Sequence, residues 1–206
     1  MDNYLIRKIS YEDTKPFILN IHYAKRMPSI SFAYGLFFNK ELVGVVSYGH
    51  PPSQSLCKGI AGENNKHLVL ELNRLVLKYN KKNEASMLVG KSIKLLPKPK
   101  IIISYADISQ NHIGYIYQAT NFIYTGLSAK RKEWQMIGKN KHSFTICEQY
   151  TLKERKNNPD KFYIINRPRK HRYLYFIGSK QEKRKLIQQL KYPIFNYPKS
   201  NEVNHG

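Results

Sequence analysis

The chain has 206 residues, 41% of them apolar and 13% aromatic, enough for a real core in one large domain, or in one domain with a substantial extension. Lys and Arg total 35 against 14 Asp and Glu, a formal charge of +21, so the chain repels itself and suits a polyanion whose counterions it can displace. Cys57 and Cys147 stand in no metal-type spacing, no apolar run approaches 18 residues, and MDNYLIRKIS holds no apolar leader, which argues against cysteine metal sites, membrane-spanning helices and secretion and for a reducing cytoplasm.

Residues 4–10, YLIRKIS, predict a strand, and residues 11–26 a helix with Phe17, Ile18, Ile21 and Tyr23 spaced for one face and Pro28 ending it. Residues 31–38 and 41–49 flank Asn39-Lys40, a hairpin signal. The Pro, Ser and Gly content of 50–66 predicts a loop, and 67–77, HLVLELNRLVL, a long strand. A helix is expected over 83–96, with the Asn83 side chain as its cap, then a buried strand over 100–107. A short helix at 112–120 and a strand at 121–129 follow. A hairpin followed by β-α-β-α-β makes an α/β (α+β) fold, a mixed central sheet with helices packed on it. The order β-α-β-β-β-α-β-α-β is that of the GNAT acyltransferase fold.

Beyond residue 129 the chain changes character. Residues 129–206 hold 19 of the 35 Lys and Arg and 6 of the acids. A strand is expected within RPRKHRYLYFIGS (167–179), a basic helix over 180–192, and an aromatic tail at 192–199 docked on the body. The division is therefore a catalytic core at 1–129 and a basic C-terminal extension at 130–206, packed on the core and touching nucleic acid. No convincing amphipathic helix with a basic face appears, so nucleic acid is favoured over an anionic membrane.

The stretches IHYAKRMPS (21–29), ELNRLVL (71–77), SYAD with HIGYIYQATNFIYTG (104–126) and KHRYLYFIG (170–178) together resemble the Mom family of phage DNA adenine-modification proteins. The resemblance covers most of the chain. It implies a GNAT-like fold, conversion of the adenine N6 amine to a carbamoylmethyl (glycinamide) derivative, and a role in shielding phage DNA from restriction.

The same residues have a chemistry of their own. Asp107 ends the buried strand, at the sheet edge where α/β folds seat ligands, and can accept a proton, ligate a metal or organise the following turn. Tyr117 lies on the short helix and can protonate a leaving group as a phenol; Tyr115 is the competing aromatic, and the family pattern IYQA points to Tyr117. His22 and Tyr23 form an adjacent pair on the first helix. The resemblance implies that they and Asp107 could form an iron site, a nitrogen and oxygen set such a metal accepts, although neighbouring helical residues point about 100° apart. On the long strand, period two puts Glu71 and Asn73 on one face, toward substrate, and Arg74 on the other, where an internal salt bridge would also explain it. Arg167, Arg169, Lys170 and Arg172, beside His171, are expected to grip phosphates.

Ser86, Lys81 and Lys82 stand at the helix turn where acyltransferases of this fold cradle the coenzyme A diphosphate on backbone amides. Here that turn reads YNKKNEAS; its glycines are missing and Glu84 places a negative charge at the seat. The donor is thus either an acyl-coenzyme A or an aminoacyl-tRNA, with glycyl-tRNA fitting the implied product. The partners expected are DNA and, with that donor, tRNA. Two other classes stand beside this one: a GNAT N-acetyltransferase for another amine, and a non-catalytic nucleic-acid-binding protein.

Overall fold

The computed structural model describes residues 3–139 and 143–199, so of the expected extension residues 140–142 and 200–206 lie outside the described residues. The fold is α/β, with a mixed central sheet and helices on both faces. β1 (Tyr4–Lys8), β2 (Phe32–Phe38), β3 (Glu41–Gly49) and β4 (Val69–Leu77) pair antiparallel in chain order. The β2–β3 turn uses Asn39 and Lys40 at φ of 49° and 70°, the two positive values a tight hairpin with the native strand twist requires. β5 (Lys100–Asp107) joins β4 in parallel, and with β6 (Ile123–Leu127) and β9 (Lys170–Ile177) the seven-stranded order is β1-β2-β3-β4-β5-β9-β6.

Alternation along β5 divides the core. Ile102 and Ala106 pack on one face with Leu88, Val89 and Ile93 of α3 (Glu84–Leu95), while Ile101 and Ile103 face Cys57, Ile60 and Ala61 of α2 (Gln54–Asn65). The α2 helix replaces the loop expected over 50–66. Gly59 and Gly62 weaken its local propensity, but Ser53 accepts from the Leu56 amide at 3.3 Å and the sheet buries its apolar side.

The first helix is shorter than 11–26. α1 spans Tyr11–Pro16; Pro16 removes an amide donor, and the chain widens into a π turn, Phe17–Ile21, closed by His22 N donating to Phe17 O at 3.0 Å. His22 is extended, at φ −67° and ψ 136°, so it and Tyr23 are not helical neighbours. The loop after them crosses the sheet at Gly49, where a Cβ would lie 1.8 Å from the Ser29 carbonyl oxygen. At α3 the expected side-chain cap is absent: Asn83 is left-handed (φ 68°) and makes no side-chain cap bond.

Two features open the site. β4 and β5 pair only at Val69–Ile101, Leu70–Ile102 and Glu71–Ile103, then diverge, leaving a fork bridged by Ser104 Oγ donating to Leu72 O at 3.1 Å. The register of β3 on β4 also slips, with Ser47 opposite Arg74 and Tyr48 opposite Leu72. This bulge at Asn73 resets the alternation and corrects the period-two expectation: Arg74 comes to the side of Glu71 instead of opposing it.

The C-terminal third is woven into the core. α4 (Tyr115–Ala119) leads to β6 (Ile123–Leu127), and β9 (Lys170–Ile177) lies between β5 and β6, antiparallel to both. The expected core at 1–129 is therefore completed by a strand from beyond its boundary, because a buried run such as Tyr173–Ile177 needs covered neighbours on two edges. Between β6 and β9 stand β7 (Arg131–Met136), α5 (Ser143–Gln149), α6 (Leu152–Asn157) and β8 (Phe162–Arg167), with a small core of Met136, Ile146 and Phe162. α7 (Lys180–Gln188) follows, and the aromatic tail docks through Phe195 N on Tyr124 O and Tyr197 OH on Phe122 O.

Candidate active site

The fork opens into a cavity of about 810 Å³. It gathers most of the residues singled out in the sequence: His22, Tyr23, Glu71, Asn73, Arg74, Asp107 and Tyr117, with Arg167, Lys170 and Arg172 on the far wall. Lys81, Lys82, Ser86 and Arg169 do not line it. Five cations, counting Arg131, face two carboxylates there, so the lining favours an anionic ligand.

The two carboxylates differ in engagement. Asp107 Oδ2 pairs with Lys170 Nζ at 2.7 Å, and Oδ1 accepts from Ser109 Oγ at 2.7 Å and Ser109 N at 3.1 Å, capping the turn at 108–110. Burial pushes the Asp107 carboxyl up, but Lys170 and Ser109 together outweigh it and hold the group below the usual range. Glu71 has no hydrogen bond or ion pair among the described residues, and burial pushes its carboxyl up, with Arg74 and Lys170 partly opposing. Of the pair, Glu71 is the carboxylate with free lone pairs.

Tyr117 is half-buried, with its ring 5.3 Å from those of Phe122 and Tyr173. Burial pushes its phenol up to about 12, against the effect of the Ser104 hydroxyl, so it carries its proton throughout the neutral range. His22 Nδ1 accepts from the Ala24 amide at 3.0 Å. Burial and then the Arg74 charge depress its pKa to about 4. The neutral ring therefore keeps its proton on Nε2 and is a donor, not a base. Tyr23, 63% exposed, stacks on it at 4.4 Å. Asn73 is structural: its Oδ1 accepts from Ser47 Oγ and its Nδ2 donates to Ser29 O, both at 2.7 Å. Arg74 donates to Asn73 O and Arg26 O, and its Nε is buried without a partner among the described residues.

The cations expected on a loop are mostly engaged. Arg172 is 7% exposed, donates to Thr125 Oγ1 and O, and lies 3.6 Å over the Tyr192 ring. Arg169 donates to Ser128 O at 2.6 Å. Arg167, more open, pairs with Glu133 at 3.1 Å. The grip foreseen for Arg169 and Arg172 is corrected by their place at the head of β9 and within it, where the backbone needs their guanidinium groups.

The expected metal set is not arranged as one, and the expected donor turn is occupied by the chain's own groups. Both Asp107 oxygens are committed, one to an ammonium that already supplies the countercharge, so the His22, Tyr23, Asp107 set is not arranged for a metal; among the described residues no cluster of three His, Cys, Asp or Glu forms elsewhere. The α3 turn is filled from within. Glu84 is 1% exposed, its Oε2 accepting from Lys81 N at 2.8 Å and its Oε1 from Tyr4 OH at 2.9 Å. A carboxylate thus occupies the Lys81 amide, and Lys81 turns its ammonium onto the Phe38 ring at 4.8 Å.

Residues that the sequence did not single out also line the cavity: Tyr105, His112, Ser128, Arg131 and Tyr192. The basic run Lys130-Arg131-Lys132 was the available signal for Arg131.

The fold and cavity define an α/β protein with a cationic cleft at a strand fork. Residues 3–199 match the model of the Mom protein family, and the chain belongs to that family. It is 26% identical over 185 residues to the methylcarbamoylase Mom of Escherichia phage Mu, covering 84% of this chain and 76% of that protein. Among solved structures it is similar to an N-acetyltransferase from Staphylococcus aureus Mu50 (13% identity, TM-score 0.46, 85% of this chain and 99% of that one). A GNAT family acetyltransferase from Streptococcus pneumoniae is similar at 11% identity and TM-score 0.46, over 85% of this chain and 99% of that one. Among the described residues no helix is long and apolar enough to cross a membrane.

Proposed function

We propose that this protein is a DNA-modifying transferase that converts the adenine N6 amine to its carbamoylmethyl derivative, shielding phage DNA from restriction in the host cytoplasm, with an aminoacyl-tRNA of glycine as donor. The observation that carries the reading is the cavity itself: a free, half-buried carboxylate and a protonated phenol, Glu71 and Tyr117, in one cationic cleft. Membership of the Mom family and the methylcarbamoylase relative support the product. The Glu84 plug supports a donor other than coenzyme A.

The target base must leave the duplex, at a cost of a few kcal/mol, for its N6 to reach the cleft. Glu71 takes a proton from N6 as that nitrogen attacks the glycyl ester carbonyl; the new bond is C–N and the bond broken is the ester C–O. Tyr117 gives its proton to the departing ribose oxygen. Asp107 and Lys170 neutralise each other at the cleft wall, and Arg131 and Arg167 are left to attract the anionic chain. The glycyl amine then stands one five-membered ring from C6. Its attack forms C6–N and breaks the bond from C6 to the original N6, which takes a proton and becomes the terminal carboxamide. Atoms balance, and no oxidant is required.

Incubation of the protein with duplex DNA and carbon-labelled glycyl-tRNA, followed by nucleoside mass spectrometry, tests the donor. Label on a modified deoxyadenosine is expected. Modification driven by acetyl-coenzyme A alone, with none from glycyl-tRNA, would overturn it and favour an N-acetyltransferase. Tyr117→Phe and Glu71→Gln are each expected to slow the transfer by about 10²-fold to 10³-fold without loss of DNA affinity. Undiminished transfer in both would instead place the chemistry elsewhere.

A further inference from the structure

β6 and β9 do not need the forty or so residues between them. Ser128 N donates to Lys170 O at 2.8 Å, Lys170 N donates to Ser128 Oγ at 2.9 Å, and Leu127 faces His171, so the two strands already close like a hairpin at that point. The insertion leaves and returns through this clasp. Its stem residue Lys170 is the one that holds Asp107 at the cavity. Whatever the insertion touches is thereby tied to the mouth of the cleft.

The insertion's ribbon has two unlike faces. The register pairs Arg131 with Arg167, Glu133 with Ile165 and Gln135 with Tyr163 on one side, and Trp134 with Ile164 and Met136 with Phe162 on the other. The second side is backed at its far end, where Met136, Phe162 and Trp134 pack with Ile146 of α5 and with Tyr150, and Arg155 of α6 lies 5.1 Å from the Trp134 ring; nearer the root, Lys132, Asn166 and Ile164 stay open. The first side contributes nothing to that small core. It begins at the cavity, since Arg131 and Arg167 both line it, and ends at Gln135 and at Tyr163, 46% exposed.

We propose that this face of the β7–β8 ribbon, open at Arg131, Arg167 and Tyr163 and half-buried at Glu133, Gln135 and Ile165, docks in the major groove of duplex DNA beside the flipped adenine, with Arg131 and Arg167 on phosphates and Gln135 and Tyr163 on base edges. The inference rests on the DNA-modifying reading above and adds the surface that recognises the duplex. Three points favour it. The ribbon root is cationic and continuous with the cleft the base must enter. A two-stranded ribbon is an element the major groove, about 12 Å wide, admits. From the Arg131–Arg167 rung to the Gln135–Tyr163 rung is four residues, about 13 Å of strand, enough to reach from the phosphates at the cleft into the neighbouring groove. A glutamine there can donate to and accept from an adenine edge, and the Ile165 side chain suits a thymine methyl.

The test compares the full chain with the double variant Gln135→Ala, Tyr163→Ala by fluorescence anisotropy on a 20-base-pair duplex, on a single strand of the same sequence and on tRNA. The expected result is a loss of roughly tenfold or more on the duplex, with less discrimination among duplex sequences, and unchanged binding of the single strand and tRNA. In a second measurement the protein is left unchanged. Replacing the duplex purines by their 7-deaza forms removes major-groove acceptors and leaves N6 in place; weaker binding is expected, while a minor-groove drug leaves binding unaltered. Equal affinity of variant and parent for the duplex, an equal loss on duplex and tRNA, or insensitivity to the 7-deaza bases overturns the proposal. If the parent modifies DNA while these tests fail, the ribbon assignment alone falls; if the parent neither binds nor modifies DNA, the functional reading falls with it.

Discussion

Two stretches of the C-terminal third carry cations at similar density and use them in opposite ways. In β9 and the residues leading into it, Arg169, Lys170 and Arg172 are consumed by the protein: one guanidinium on Ser128, one ammonium on Asp107, one guanidinium on Thr125 and Tyr192. At the root of the β7–β8 ribbon, Arg131 is exposed and, among the described residues, Arg167 has one ion-pair partner, the half-buried Glu133. What separates the stretches is not composition but sheet position. A strand between two others must satisfy its charges internally, whereas a ribbon open on one face keeps them for a partner.

Arg172 gives the largest expected contrast. Arg172→Ala strands the Thr125 acceptors and empties the Tyr192 stack, and should cost about 3 kcal/mol, lowering Tm by roughly 6–12 °C. Thermal melts of the variant would break the comparison if Tm stayed within 1–2 °C, a shift of about 0.5 kcal/mol in a chain of this size. Next comes Lys170→Met, which leaves the half-buried Asp107 without its countercharge at a cost of about 1–3 kcal/mol near neutrality. The sign with pH follows from the depressed Asp107 carboxyl. Its contribution is present above the ordinary carboxyl range and fades as pH falls through the folded value. Denaturant melts of parent and variant should therefore converge in acid; a constant gap would mean that the ion pair is not the source.

Arg131→Ala with Arg167→Ala should leave stability within about 0.5 kcal/mol, because both sites are open to solvent. The same double variant should reduce the slope of log affinity for DNA against log salt by about two, one for each phosphate contact. An unchanged slope would erase the distinction between the two stretches. The smallest effect concerns His22. Its folded pKa of about 4 lies below the ordinary 6.5, so native stability is whole above 6.5 and declines as pH falls toward 4. His22→Gln should flatten that decline, and activity should show no histidine limb near neutrality.

Much of the sheet was legible because its signals are local. The Asn39-Lys40 turn, the buried isoleucines of β5 and the period of α3 each state their structure within a dozen residues. Asp107 and Tyr117 meet in one cavity for the same reason: a strand end and the following helix are neighbours in sequence as well as in space. The rest depended on partners far along the chain. The α2 helix draws its stability from Ile101, Ile103 and Phe176, not from its own glycine-bearing sequence. The bulge at Asn73 arises from pairing with β3 and reverses the side on which Arg74 stands. No window around residue 170 reveals that β9 enters between β5 and β6, and that placement decides which cations remain available.

The proposed reaction transfers a glycyl group to adenine and then exchanges nitrogens at C6. Nitrogen labelling reads this directly. With glycyl-tRNA charged with ¹⁵N-glycine and unlabelled duplex, tandem mass spectrometry of the modified nucleoside should find the heavy atom bonded to C6 and the original adenine nitrogen in the carboxamide. Heavy nitrogen in the carboxamide, or a modified base with none, would contradict the account.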